Sequence, residues 1–161
     1  MRTLWIGTMV VALTLASIRL ESQPATRLVG VWKVAEIVPP AGARQSNPQP
    51  TMYLFTGRHY SHVSVTSPTP RPNYTGPDMT EKQRLEMWEP FSATAGTYDV
   101  RGNEFTIRPI VAKNPGFMVP GSFTTFEFVA EGNDIWIRAT VGPGGPIPQA
   151  AANRVRLVRL E

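Results

Sequence analysis

The sequence predicts an all-β fold, an eight-stranded antiparallel up-and-down barrel with one short helix in a connection, and three observations carry the prediction. A Gly-x-Trp, Gly30-Val31-Trp32, stands at the opening of the first strand and suggests a small barrel closed at one end. Short β-rich runs then alternate with turn signals as far as the C-terminus, the pattern of a sandwich or barrel. Counting the runs gives eight, the strand number at which a closed barrel encloses side chains or one small ligand.

The N-terminal segment comes first. Arg2 supplies a positive n-region, and Leu4 to Ala16 is apolar apart from Gly7, Thr8 and Thr14. Such a run is too short for a bilayer span of about 20 residues and matches the h-region of an export signal. Residues 1–22 are therefore assigned as a signal peptide, cut between Ala16 and Ala25, which makes the product secreted or periplasmic with no stable membrane anchor. An uncleaved anchoring helix is the alternative. Residues 27–161 form the barrel domain, since 161 residues with 42% hydrophobic content suit one ordinary core. The chain has no cysteine, so neither a disulfide framework nor a lipid-modified cysteine is possible. Formal net charge is +4, and removing residues 1–22 leaves +3 with the arginines dispersed among strands. No basic stripe forms, and nucleic acid is not expected as a partner.

Leu28 to Ile37 is the first strand, with both faces rather apolar. Prolines 39, 40, 48 and 50 exclude regular structure from the loop after it. Thr51 to Phe55 and Arg58 to Val65 form a hairpin around Thr56-Gly57, where the glycine is expected to supply a positive φ. Pro68 to Pro77 is a second proline-rich connection. Asp78 to Trp88 is the one helix, with Asp78 as cap, Glu81 completing a capping box and Pro90 ending it. It is placed across an opening of the barrel as a lid or plug, with packing on the outside as the alternative. Five further strands follow, at Ala93 to Val100, Glu104 to Val111, Ser122 to Ala130, Asp134 to Val141 and Arg154 to Leu160. Pro109 cannot donate to a ladder and marks an edge or bulge in the second of these.

The order of motifs resembles the bacterial lipocalin-like domain proteins, a group similar in outline to the calycins. The likeness rests on Leu28-Val29-Gly30-Val31-Trp32-Lys33, on Tyr53-Leu54-Phe55-Thr56-Gly57-Arg58-His59-Tyr60-Ser61 and on Ala95-Gly96-Thr97-Tyr98-Asp99-Val100. It implies a barrel with a central cavity and a hydrophobic ligand. It also implies that Trp32 packs across the closed end beneath an arginine from near the last strand. Arg154, Arg156 and Arg159 are available, and Arg156 is chosen, so Gly30, Trp32 and Arg156 are the expected closure. The strand Thr106 to Ile110 lacks the histidines of many such proteins, and histidine chemistry suggested for relatives does not transfer.

Chemistry is sparse. The two histidines, His59 and His62, are three apart on one strand and point to opposite faces, so a shared metal site is not expected, and no cofactor is implied. The serines lie in no nucleophile elbow, and the helix carboxylates Glu81, Glu86 and Glu89 read as solubilising charges. Phe126 and Phe128 are expected inward with Glu127 solvated, because a lone inward carboxylate costs several kcal/mol. The leading reading is an exported barrel that binds a small hydrophobic or amphipathic molecule, with Tyr53, Tyr60, His62, Tyr98 and Arg108 as polar contacts and no catalytic residue. The alternative is a barrel enzyme of isomerase, cyclase or hydratase type, with His62 or Tyr98 as acid or base and an inward, paired Glu127 in support.

Overall fold

A computed structural model describes residues 27–161, so the assigned signal peptide lies outside the described residues. The strands are β1 (Gly30–Val38), β2 (Gln45–Ser46), β3 (Thr51–Phe55), β4 (His59–Val65), β5 (Phe91–Arg101), β6 (Glu104–Ala112), β7 (Thr124–Glu131), β8 (Asp134–Gly142), β9 (Gly145–Pro146) and β10 (Arg154–Arg159). One α-helix, α1 (Glu81–Trp88), lies between β4 and β5. Eight long strands follow one another around a ring, and β10 closes it by pairing antiparallel with both β1 and β8. The two-residue strands β2 and β9 attach to β1 and β8. The expected eight-stranded up-and-down barrel is thus the observed fold.

Alternation along the strands sorts the side chains. The inner face carries Trp32, Val34, Phe55, Tyr60, Tyr98, Phe105, Phe128, Ile135, Ile137 and Leu157, all buried. Phe126 packs against this cluster, with its ring 5.0 Å from that of Phe105. Phe126 and Phe128 therefore point inward as expected, and Glu127 sits on the outer face, where its carboxylate pairs with Arg138 at 2.5 Å.

The barrel has two unlike ends. Tight hairpins after β3, β5 and β7 gather at one end with the start of β1 and the end of β10, whereas all four long connections lie at the other. At the tight end Trp32 is 1% exposed and its Nε1 donates to the Leu28 carbonyl at 2.7 Å. The cation above its ring is Arg159, at 4.2 Å from the centroid, and this corrects the choice of Arg156. Arg159 shares the inward parity of Leu157, while Arg156 is one residue out of phase and lies on the outer face between Glu36 and Asp134. Gly30, at φ +141°, is required by close approach: a Cβ there would fall on the Arg159 guanidinium and on the Glu161 carbonyl oxygen.

Three other expectations need correction. The cap of α1 is Thr80, whose hydroxyl accepts from the Gln83 backbone N–H while the Gln83 side chain accepts from the Thr80 N–H, so the box begins two residues after Asp78. The helix carries no buried residue, and Leu85 and Trp88 are exposed, so it is no plug. The positive φ expected at Gly57 falls instead at Gly102 and Gly132, in the other two hairpins. Pro109 does mark an irregularity: β6 bulges at Ile110, between the partners of Ala95 and Gly96, and it loses β7 as a partner beyond Ile107.

Candidate functional site

The tight half of the barrel is solid. Phe55 meets Tyr98 and Phe105 edge-on at 5.1 and 5.5 Å, and Phe105 meets Phe128 at 6.1 Å, which leaves a floor of interlocked rings. Above this floor, at the end with the long connections, opens a cavity of about 690 Å³. That volume lies within the range of small-molecule sites, about 300–1,000 Å³.

Local register builds its walls. Tyr53 of β3 and His62 of β4 are cross-strand partners on the inner face, and their rings stack at 4.3 Å. Ser64, two residues beyond His62, shares that face and pairs with Thr51. Beside them, β1 and β10, the next strands around the ring from β3, contribute Val34, Ile37 and Val155. A bulge between Val34 and Glu36 shifts the alternation of β1, so that Ile37 faces the cavity and Glu36 the outside. The lip is the segment from Arg44 to Gln49, held by pairing of β2 with β1 and by Arg44 Nε on Glu36 Oε1 at 2.8 Å.

The electrostatics are those of a partly dry, uncharged pocket. Burial lowers the His62 pKa to about 4, so its ring is neutral at neutral pH. Burial, and the neighbouring Tyr60, push the Tyr53 phenol above its ordinary value. Arg44 is the only formally charged side chain on the lining, and it is neutralised by Glu36, which also accepts from Arg156 Nε at 3.2 Å. Among the described residues no carboxylate lines the cavity.

Of the five polar contacts expected from the sequence, the structure brings Tyr53 and His62 together on the lining and puts the other three elsewhere. Tyr60 is buried in the floor, with Thr94 as its polar neighbour but out of hydrogen-bonding geometry. Tyr98 donates to the Thr56 carbonyl at 2.6 Å, toward the tight end. Arg108 lies on the outer face, paired with Asp99. These are corrections with one cause: inward parity selects a face, but only depth along the strand selects the cavity over the floor, and Arg108 has outward parity. Ser64 and Val34 were missed although parity with His62 and Trp32 signals them. The segment Arg44 to Gln49 carries no sequence signal, because nothing in a proline-rich loop announces that it folds back along β1.

Together the closed ring, the tryptophan and arginine at its tight end and the open mouth at the other define a closed eight-stranded up-and-down barrel with one sealed end. The chain is similar to a crystal structure of a lipocalin-like protein from Bacteroides uniformis, at 13% identity and a TM-score of 0.47, over 83% of this chain and 99% of that one. It is similar also to an uncharacterized protein from Bacteroides eggerthii, at 12% identity and a TM-score of 0.45, over 81% of this chain and 98% of that one. No protein-family model matches the chain, and no curated protein matches it.

Proposed function

We propose that this is an exported barrel that binds a small amphipathic molecule in its mouth. The observation that carries the reading is the cavity itself, about 690 Å³ above a solid aromatic floor, with aliphatic side chains from β1 and β10 beside polar ones from β3 and β4. Burial of an apolar body there contributes about 25 cal/mol for each Å² removed from water, and the polar wall fixes orientation. Export rests on Arg2 and the apolar run from Leu4 to Ala16. Sequencing the N-terminus of protein recovered from the exported fraction tests it, and a new terminus between Ala16 and Ala25 is the expected result.

The binding test is a Nile red titration of protein purified without detergent, alongside native mass spectrometry of the same sample. Saturable fluorescence enhancement at one dye per chain is expected, and it is lost in Val155→Trp, which fills the cavity. Arg108→Ala on the outer wall keeps it. Dye binding that survives Val155→Trp with native near-ultraviolet circular dichroism places the site elsewhere and refutes the reading.

A further inference from the structure

The cavity wall formed by β3 and β4 presents three polar groups, the Tyr53 hydroxyl, the His62 imidazole and the Ser64 hydroxyl, and none has a hydrogen-bond partner among the described residues. Ser64 is 7% exposed as a residue, and its hydroxyl opens onto the cavity. Three of the lip hydroxyls differ: Thr51, Thr66 and Ser67 donate to the carbonyls of Gln49, Pro90 and Thr69. Three polar groups that face the cavity and are not committed to other side chains or to the backbone amount to a recognition surface for something that supplies donors and acceptors.

All three are uncharged groups that can both donate and accept, a hydroxyl, a neutral imidazole and a phenol. A carboxylate or phosphate head would need a cation, and the lining has only Arg44. That guanidinium is already committed to Glu36, and Glu36 shares Arg156, which in turn holds Asp134 at 2.9 Å. Two positive and two negative groups make this network neutral, and a ligand anion must compete with Glu36 for it. Resting on the ligand-binding reading above, we propose that the cavity selects an uncharged amphipath, an apolar body bearing a hydroxyl, carbonyl or amide that Tyr53, His62 and Ser64 read, and discriminates against the carboxylate of the same chain.

Decanol, decanamide and decanoate share one apolar chain and differ only at the head, and their displacement of Nile red at pH 7.5 tests the selection. Decanol and decanamide are expected to bind about tenfold more tightly than decanoate, the worth of one or two net hydrogen bonds. Tyr53→Phe, His62→Phe and Ser64→Ala are each expected to lower affinity for the uncharged pair severalfold and to leave decanoate unchanged. The three substitutions preserve volume closely enough that circular dichroism should stay native, and Ser64→Ala alone suffices if an aromatic variant misfolds. Decanoate binding as tightly as decanol, and weakened by Arg44→Ala, overturns the selection while leaving the binding reading intact. If none of the three displaces the dye, or if the dye itself does not bind, both are overturned.

Discussion

Arg159 and His62 are the residues whose energetics reach furthest. Arg159 sits over Trp32 and donates to the carbonyls of Val29 at 2.8 Å and Arg27 at 3.0 Å, so one side chain ties the last strand to the entry of the first. Arg159→Ala is expected to cost about 1–2 kcal/mol in urea unfolding, the sum of a cation–π contact and net hydrogen bonds at a partly exposed site. Arg156→Ala should act through a different route, leaving Glu36 at 6% exposure with Arg44 alone, and should not perturb Trp32 fluorescence. His62 makes stability pH-dependent with a definite sign. Its folded pKa is about 4, below the ordinary 6.5, so between those values the unfolded chain binds the extra proton and the native chain does not. Stability from this group is therefore complete above pH 6.5 and declines as pH falls toward 4, by up to about 3 kcal/mol across the window. Urea midpoints of wild type and His62→Gln, measured from pH 7 down to pH 4, check it: the wild-type slope should exceed that of the variant throughout about that range.

At the scale of elements, the connection between β4 and β5 is fastened rather than packed. Lys113 Nζ donates to the carbonyls of Trp88, Glu89 at 3.1 Å and Phe91 at 2.8 Å, and lies 4.9 Å from the centroid of the Trp88 ring. A cation on the last carbonyls of a helix opposes its dipole, and here it stands in for the basic residue that the final turn of α1 lacks. Lys113→Met is expected to raise amide exchange across residues 66–90 about tenfold, near 1.4 kcal/mol, while strands β3 to β8 keep their protection. The bulge of β6 across from Gly96 is the opposite case, fixed by close approach of backbone. A Cβ on Gly96 would collide with the Arg108 carbonyl oxygen and lie 2.8 Å from the Ile110 nitrogen, and backbone cannot swing aside as a side chain can. Gly96→Ala is expected to cost roughly 3 kcal/mol or more, read from the urea midpoint, because the β5 to β6 ladder must part to admit the methyl group.

Across the whole molecule, what was legible in the sequence followed from period and punctuation. Two-residue alternation, with glycine and asparagine at the short hairpins, gave the strands within two residues at nearly every boundary and the inward phase of Phe126 and Phe128. Period fixes which face a residue takes but carries no information on height, and so Tyr60 and Tyr98 were grouped with Tyr53 although only Tyr53 stands above the floor. The bulge in β1 is a failure of period itself: one residue out of step turned Ile37 into the cavity and Glu36 away from it. Arg156 was misassigned for the related reason that parity alone separates it from Arg159, and the end of a strand offers no further clue. One feature of the ring, the pairing of β10 with β1, governs how the molecule is made. Arg156 and Glu36 meet across 120 residues of chain, whereas every other barrel seam joins long strands that follow one another in sequence. Hairpins can zip locally, but this seam must wait for nearly the whole wall to be in place, since loop-closure entropy falls on it most heavily. Until it forms, β1 and β10 are both open edges able to recruit other chains. The rate of refolding, and the yield lost to aggregation during it, are therefore set at the place where the barrel meets itself.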